Sequence, residues 1–207
     1  MTIIKGLQAR LMKDVYHSAL AKKGYVFFDN NTAYNLNSIG VRRVNGAAPN
    51  KFDDTMVVVY RNKQKFWEVF TTECTTDPGL YWLEEPMNVD GTAILVPGQY
   101  RSVYRRDLHL GKYEALCQRG AEVSVYRDGN RDRRHDMDPS TTDTGYFGIN
   151  IHKAGRASTQ VDKWSAGCQV ISRSDEFATF MDLAHLGTER CGEFLTYTLL
   201  LETDLHD

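Results

Sequence analysis

The first segment of the chain places apolar residues three to five positions apart, with lysines and arginines between them. This spacing is typical of an amphipathic helix that packs one face against a core. Gly24 ends the pattern, so the sequence predicts an N-terminal helical extension over about residues 1–24. The apolar positions are Ile4, Leu7, Leu11, Val15 and Leu20.

Short runs rich in β-branched and aromatic residues follow this helix and are separated by Gly, Pro, Asn and Asp. Such runs are typical of strands joined by turns. Residues 55–60 and 65–71 flank the polar segment Arg61-Asn-Lys-Gln64 and predict a β-hairpin. Strands at this spacing favour a mainly β fold of the sandwich or barrel type. The other predicted strands are 25–28, 34–42, 92–96, 99–104 and 121–126.

The end of the chain predicts one more helix and one more strand. Residues 174–184 begin with Ser174, a candidate N-cap, and carry an apolar stripe at helical spacing. Residues 194–201 form a continuous apolar run and predict a buried final strand. The polar stretch 128–144 predicts a rim loop, and no repeat or linker divides the chain. We therefore interpret residues 1–207 as a single domain.

Composition narrows the classes of function. The 207 residues are 42% hydrophobic and can bury one core. Lys and Arg number 25 against 27 Asp and Glu, a net charge of −2, so no overall field attracts nucleic acid or an anionic membrane. The first residues lack the apolar core of a signal peptide, and no run approaches the roughly 18 apolar residues of a membrane span. We expect synthesis in the cytoplasm and no insertion into a membrane.

Two patterns bear on metals and redox chemistry. The four cysteines lie far apart and form no Cys-x-x-Cys pair, which favours free thiols over a zinc site or a disulfide framework. Asp128-Gly-Asn-Arg-Asp132 begins like an EF-hand loop, but its sixth position is Arg133 instead of Gly and its twelfth is Pro139 instead of Glu. The sequence therefore predicts no metal and no other cofactor.

His152 and Cys168 are the candidate catalytic pair. They lie 168 − 152 = 16 positions apart, and two neighbouring strands joined by one loop would present both at one edge. A free thiol has a pKa of about 8.5 and needs a nearby imidazole to form a thiolate. Gly148 and Gly167 allow close backbone approach, and N–H groups near Cys168 would form an oxyanion hole. A purely structural role also stays open, since Cys is often a small core side chain.

The order His152, loop, Ser165-Ala-Gly167-Cys168 resembles the catalytic domain of the L,D-transpeptidases, the YkuD-like family. The resemblance implies that Cys168 is the nucleophile, His152 its base and Ser165 a supporting hydrogen-bonding residue beside the motif Gly167. It further implies the family's β-sandwich or barrel fold and a backbone carbonyl that orients the imidazole. The match is specific from Gly145 onward, and residues 75–81 add a weaker match upstream.

Two positions depart from the family pattern. Ala166 stands where many members have His, and Val170 stands where many have Arg or Asn. Gln169 is the candidate replacement for the missing polar contact with substrate. Tyr146 and Trp164 are further substrate-binding candidates, with packing as the alternative role for both.

Chain order disfavours other cysteine enzymes. Papain-like and NlpC-type hydrolases place Cys before His, caspases need Gln-Ala-Cys-x-Gly, and sortases have a longer His-to-Cys interval. His109 is either a third group near the pair or a structural residue in a turn. A zinc site built from His109, His152 and Cys168 has no supporting His-x-x-x-His or Cys-x-x-Cys spacing.

The resemblance implies a peptidoglycan stem peptide as the substrate and a thioester on Cys168 as the intermediate. Water would resolve the thioester in a peptidase, and an amine would resolve it in a cross-linking or exchange reaction. Without a visible export segment, we favour a hydrolase, such as a phage lysis protein or an antibacterial effector delivered by another route. The alternatives are an L,D-transpeptidase and a non-catalytic β-rich binding or virion protein. The sequence leaves the oligomeric state open.

Overall fold

The computed structural model describes residues 2–156 and 158–206. Within them, twelve strands, three α-helices and two 3₁₀ segments follow one another. The helices are α1 (Gly6–Lys22), α2 (Leu80–Glu84) and α3 (Ser174–Cys191), and the 3₁₀ segments are Pro139–Thr141 and Glu202–Leu205. The strands are β1 (Thr2–Ile4), β2 (Asn37–Arg42), β3 (Asp54–Arg61), β4 (Trp67–Thr75), β5 (Thr92–Leu95), β6 (Gly98–His109), β7 (Tyr113–Gln118), β8 (Val123–Asp128), β9 (Asp143–Gly145), β10 (Ile151–Lys153), β11 (Gln169–Ile171) and β12 (Phe194–Leu201).

Nine strands form one mixed sheet in the order β1-β4-β11-β10-β7-β6-β12-β2-β3. Because β3 also pairs with β4, eight of these strands close into a ring, and β1 pairs with the first part of β4. The pairs β10–β11 and β12–β2 are parallel. The order β5-β8-β9 forms a second, three-stranded sheet. The prediction of a mainly β protein is thus confirmed.

Two apolar clusters cover the two faces of the large sheet. Alternate residues of β3 enter different clusters: Met56 and Val58 face the larger one, and Val57 and Val59 face the smaller one. This follows from the two-residue period of a strand. Helix α3 packs against the larger cluster, and α1 covers the smaller one. A strand buried on both faces reads as a continuous apolar run, as β3 does.

The N-terminal helix forms, but its buried face differs from the predicted stripe. Residues 2–4 are a strand instead of the first helical turn, since they pair with residues 69–71 of β4. The side chains of Leu7, Leu11 and Val15 are exposed. Small or flat side chains let the helix axis approach the sheet more closely than leucines would. The buried residues of α1 are Ala9, Tyr16, Ala19 and Leu20.

Most predicted strands form near their expected positions. The hairpin is confirmed as β3 and β4, with Arg61 opposite Trp67, and the final strand is confirmed as β12. The predicted strand 25–28 is wrong. Two of its backbone N–H groups donate to side-chain amides instead of a ladder: Val26 donates to Gln99 and Phe28 donates to Asn37. No helix in the described part of the chain is long and apolar enough to cross a bilayer.

The predictions for the rim loop and for the end and N-cap of the last helix need adjustment. The rim stretch 128–144 contains a 3₁₀ segment and runs into the short strand β9. Helix α3 extends to Cys191, beyond the predicted end at 184. Its N-cap is Arg173 instead of Ser174, with no side-chain capping bond.

Candidate active site

The parallel pair β10–β11 brings the candidate base and nucleophile onto neighbouring strands. His152 lies opposite Val170, and Ile151 lies opposite Gln169. Continuing this register by one residue places Cys168 opposite Asn150, two positions from His152 along one face of the sheet. The Cys168 Sγ accepts a hydrogen bond from Asn150 N at 3.4 Å and donates one to Gly148 O at 3.5 Å. The thiol is therefore held by the backbone that leads into β10.

The imidazole of His152 is oriented by a backbone carbonyl. Its Nδ1 lies 3.0 Å from the Lys153 carbonyl oxygen and 3.4 Å from the Tyr113 hydroxyl. A carbonyl only accepts hydrogen bonds, so Nδ1 carries the proton. The Nε2 lone pair is then left to accept a proton, as a general base requires.

A second imidazole is stacked on His152. The ring centroids of His109 and His152 lie 4.1 Å apart with an interplanar angle of 21°. Asn150 fixes the protonation of His109: its Oδ1 accepts from Gln118 N at 2.9 Å, so its Nδ2 faces His109 Nδ1 at 3.1 Å. That contact needs a lone pair on His109 Nδ1 and therefore a neutral ring. The sequence alone left the position of His109 open.

Removal from water keeps His152, which is buried, and Cys168, which is half-buried, uncharged at rest. Burial, together with the stacked His109, lowers the pKa of His152 to about 4. Burial raises the pKa of the Cys168 thiol to about 11, while the N–H of Asn150 acts in the opposite direction. A thiolate on Cys168 would need a positive charge beside it, since an unpaired charge is costly in a low-dielectric site.

We expect the ring of His152 to stay neutral as the pH falls and to take up a proton only near pH 4. Because its folded pKa lies below the ordinary value, base-dependent activity is retained at pH 5 and lost below about pH 4. Long-range ¹H–¹⁵N imidazole correlations against pH measure the midpoint and the Nδ1–H tautomer. A His152 midpoint above pH 6 would contradict the prediction.

Ser165 stabilises the turn that carries Cys168. Its buried hydroxyl donates to Cys168 O at 2.7 Å and accepts from Gly167 N at 3.1 Å. Its carbonyl accepts from Gly79 N at 2.9 Å, which places the upstream segment 75–81 against the turn. Among the residues that the structure describes, the N–H of Cys168 has no acceptor. That N–H is thus available to stabilise an oxyanion.

Gly167 occupies a position that a larger residue does not fit. Its φ is +119°, and a Cβ there would lie 2.5 Å from the carbonyl oxygen of Ala93. Gly167→Ala should lower the free energy of unfolding by about 3 kcal/mol through backbone strain plus this clash. Gly111, with φ +70° and open space around it, is the matched control, and its alanine variant should lose about 1 kcal/mol. Urea unfolding measures both, and equal losses would refute the clash.

An open groove of about 1410 Å³ lies next to the Nδ1 side of His152, but neither His152 nor Cys168 lines it. Tyr113, whose hydroxyl faces His152, lines it together with Lys153 and Trp164. Tyr146 is exposed but does not line this groove. Both cationic and anionic side chains line the groove. The cations include Lys51, Arg156 and Arg173, and the carboxylates are Asp53, Glu73 and Asp175.

Gln169 is not available to a substrate. Its side chain is fully buried, its Oε1 accepts from the Tyr197 hydroxyl at 2.8 Å, and its Nε2 faces Thr76 O and Gly167 O. Side chains alternate along β11, and Gln169 points into the interior of the ring. The sequence-based substrate role for Gln169 is therefore wrong. Val170 is buried as well.

A buried cation lies beneath the segment that contacts Ser165. Arg42, at the end of β2, is fully buried. Its Nε and Nη2 donate to the side chain and carbonyl of Thr76 at 2.9 and 2.8 Å, and its Nη1 donates to Leu95 O at 2.9 Å. The Asp77 carboxylate lies 2.9 Å from Nε. Nothing in the sequence pattern indicated that this strand-end arginine is buried.

No cluster of three or more His, Cys, Asp or Glu side chains in the described ranges has the geometry to hold a metal ion. In the loop that begins like an EF-hand, acidic side chains accept hydrogen bonds from the loop's own backbone N–H groups. Arg134 N donates to Asp132 at 2.9 Å, and Asp136 N donates to Asp128 at 3.0 Å.

The structure brings together four residues that the sequence selected, His152, Ser165, Gly167 and Cys168, and adds His109, Tyr113 and Asn150 around them. No protein-family model matches the chain, and no curated protein or solved structure matches it either. The basis for a functional assignment is thus the geometry of the site.

Proposed function

We propose that this protein is a cysteine acyl-transfer enzyme of the L,D-transpeptidase type that acts on peptidoglycan stem peptides, most readily as a peptidase. The observation that carries the proposal is the imidazole of His152. Its Nδ1 faces a backbone carbonyl, which leaves Nε2 as a base on the strand next to Cys168. The closed mixed sheet and the helix that follows the Cys168 turn support an L,D-transpeptidase-like fold.

The reaction proceeds in two steps. As the Cys168 sulfur attacks the peptide carbonyl, Nε2 of His152 takes the thiol proton, and the N–H of Cys168 stabilises the oxyanion. Collapse of the tetrahedral adduct releases the amine, which receives the proton from His152, and leaves a thioester. Water, deprotonated by His152, then attacks the thioester and yields a free carboxylate and the thiol.

We favour hydrolysis because water needs no second binding surface to reach the thioester, whereas an acceptor amine does. The protein would then act on the cell wall after delivery by a separate route, as a lysis protein or an antibacterial effector. Cross-linking or amino-acid exchange is the second candidate. The carboxylates of Asp53, Glu73 and Asp175 line the groove and suit the ammonium group of an incoming amine.

Mass spectrometry of purified muropeptides tests the proposal. We expect the protein to release stem-peptide fragments whose masses include one added water, and we expect Cys168→Ala to release none. Cys191→Ala is the matched control, since Cys191 is exposed and lies at the end of α3, and it should behave like the unchanged protein. Joined stems would instead indicate a transpeptidase, and the absence of any product would refute the peptidoglycan assignment.

A further inference from the structure

Gln118 makes an unusual set of contacts at the end of β7. Its side chain is buried, and its Oε1 accepts hydrogen bonds from three successive backbone N–H groups. These belong to Phe147, Gly148 and Ile149, at 3.1, 2.9 and 3.1 Å. An amide oxygen has two lone pairs, so three converging donors make it the centre of a tight backbone turn.

The other polar groups of Gln118 hold the same segment. Its Nε2 donates to Gly145 O at 2.9 Å and to Ala121 O at 3.2 Å, and its backbone N–H donates to Asn150 Oδ1 at 2.9 Å. The register between β7 and β10 consists of a single pair, Ile151 with Leu116. One side chain therefore takes the place of a β-ladder along residues 145–150.

The segment that Gln118 holds is the one that holds the candidate nucleophile. Gly148, with φ +71°, offers its carbonyl to the Cys168 thiol, and Asn150 N–H donates to the sulfur. The side chain of Gln118 holds the N–H groups of Gly148 and Ile149, and its backbone N–H holds the Asn150 side chain, so both hydrogen bonds of the thiol come from the segment that Gln118 holds. The N–H of Asn150 is also the group that favours the thiolate, because a hydrogen bond to the charged form stabilises it.

We propose that Gln118 is a positioning residue for Cys168: it fixes the turn at residues 147–150 so that a backbone N–H points at the sulfur. This inference rests on the proposed role of Cys168 as the nucleophile. A neutral amide suits the task because it accepts from three N–H groups and donates to two carbonyls at once. Methionine has a similar shape and supplies neither function, and glutamate keeps only the acceptor.

Alkylation by iodoacetamide, followed by peptide mass spectrometry, measures the effect. The rate at Cys168 is expressed relative to that at the exposed Cys191, over a range of pH. In Gln118→Met, loss of the N–H contact should raise the thiol pKa by about one unit and lower this relative rate about tenfold at pH 8. An unchanged or higher relative rate in a folded Gln118→Met protein would overturn the inference.

Asn37 provides the matched control. It is a buried amide that also holds irregular backbone, accepting from Phe28 N at 2.7 Å and donating to Phe28 O and Val59 O. It lies on β2, four strands from β10 in the sheet. Asn37→Ala should lower the free energy of unfolding and leave the Cys168-to-Cys191 labelling ratio and its pH midpoint unchanged. A matching drop in that ratio would mean that any buried amide has this effect.

Hydrogen exchange provides a second test that does not depend on Gln118→Met alone. The amide protons of residues 147–149 should exchange slowly in the unchanged protein, and Gln118→Glu, which keeps the acceptor, should protect them better than Gln118→Met. Cys168 labelling should follow this protection across the variants. A variant that loses protection but keeps wild-type labelling would refute the inference.

The outcomes separate this inference from the proposed function. Altered labelling in Gln118→Met without turnover of muropeptides by the unchanged protein would keep the positioning role and discard the substrate. Turnover by the unchanged protein, combined with unaltered labelling in Gln118→Met, would discard the positioning role and keep the enzyme.

Discussion

Glutamine in place of His152 should slow acylation of Cys168 about a thousandfold at neutral pH. General bases contribute roughly 10²- to 10⁴-fold, and this thiol depends strongly on its base because burial raises its pKa to about 11. Glutamine keeps a polar group near the Lys153 carbonyl but has no basic nitrogen. Intact-mass detection of the acyl-enzyme formed from a p-nitrophenyl ester measures the rate directly.

His17→Gln is the control for this experiment. His17 lies on α1, where its ring packs edge-on against Phe27 at 5.1 Å, so the variant should acylate at the wild-type rate. If His152→Gln also acylated normally, His152 would not be the base. If the ester modified all four cysteines at the same rate in the unchanged protein, Cys168 would have no enhanced reactivity. That result would favour a non-catalytic binding or virion role.

Methionine in place of Arg42 should lower the free energy of unfolding by about 3–5 kcal/mol. Arg42 is fully buried, so its removal leaves the buried carboxylate of Asp77 without its arginine partner and takes away the donors that Arg42 supplies to the carbonyl oxygens of Leu95 and Thr76. Thr76 and Asp77 lie in the segment that contacts Ser165, so the loss should also loosen the turn before Cys168. Urea unfolding followed by circular dichroism measures the stability.

Two further variants identify the cause of this loss. Arg105→Met removes an arginine whose ion pairs with Asp107 and Glu193 lie near the surface, and it should cost less than about 1 kcal/mol. Combining Arg42→Met with Asp77→Asn should recover part of the stability, because the uncompensated charge disappears. A double variant no more stable than Arg42→Met would indicate that lost packing, and not the buried carboxylate, causes the destabilisation.

The hydrophobic periodicity of the sequence predicted the elements that are long or that pair with the next element in the chain. The hairpin of β3 and β4 and the final strand β12 have patterns that extend over at least six residues. The three-residue strands β10 and β11 are too short for any period to show, and their parallel pairing depends on the rest of the ring. The run 25–28 has strand-like composition, yet side chains from β2 and β6 satisfy its backbone.

The site was predictable only where its residues lie in one stretch of sequence. His152, Ser165, Gly167 and Cys168 lie within 17 consecutive positions, counting from 152 to 168, and share a motif. Gln118 and His109 reach the site from other strands, through contacts 29 to 41 residues away in the chain. The substrate role predicted for Gln169 was wrong because a strand this short has too few residues for the sequence to show which of its faces is buried.

Because β10 and β11 pair in parallel, the relative position of His152 and Cys168 does not depend on the length of the loop between the two strands. The register sets where His152 and Cys168 meet, and the intervening loop only has to return to the start of β11. Side chains at Arg156, Thr159 and Gln160 are exposed, so added residues there would leave the register unchanged. A sixteen-residue interval is therefore a poor signature for this kind of site. Under the proposed function, changes in this loop would alter substrate preference while His152 and Cys168 keep their positions.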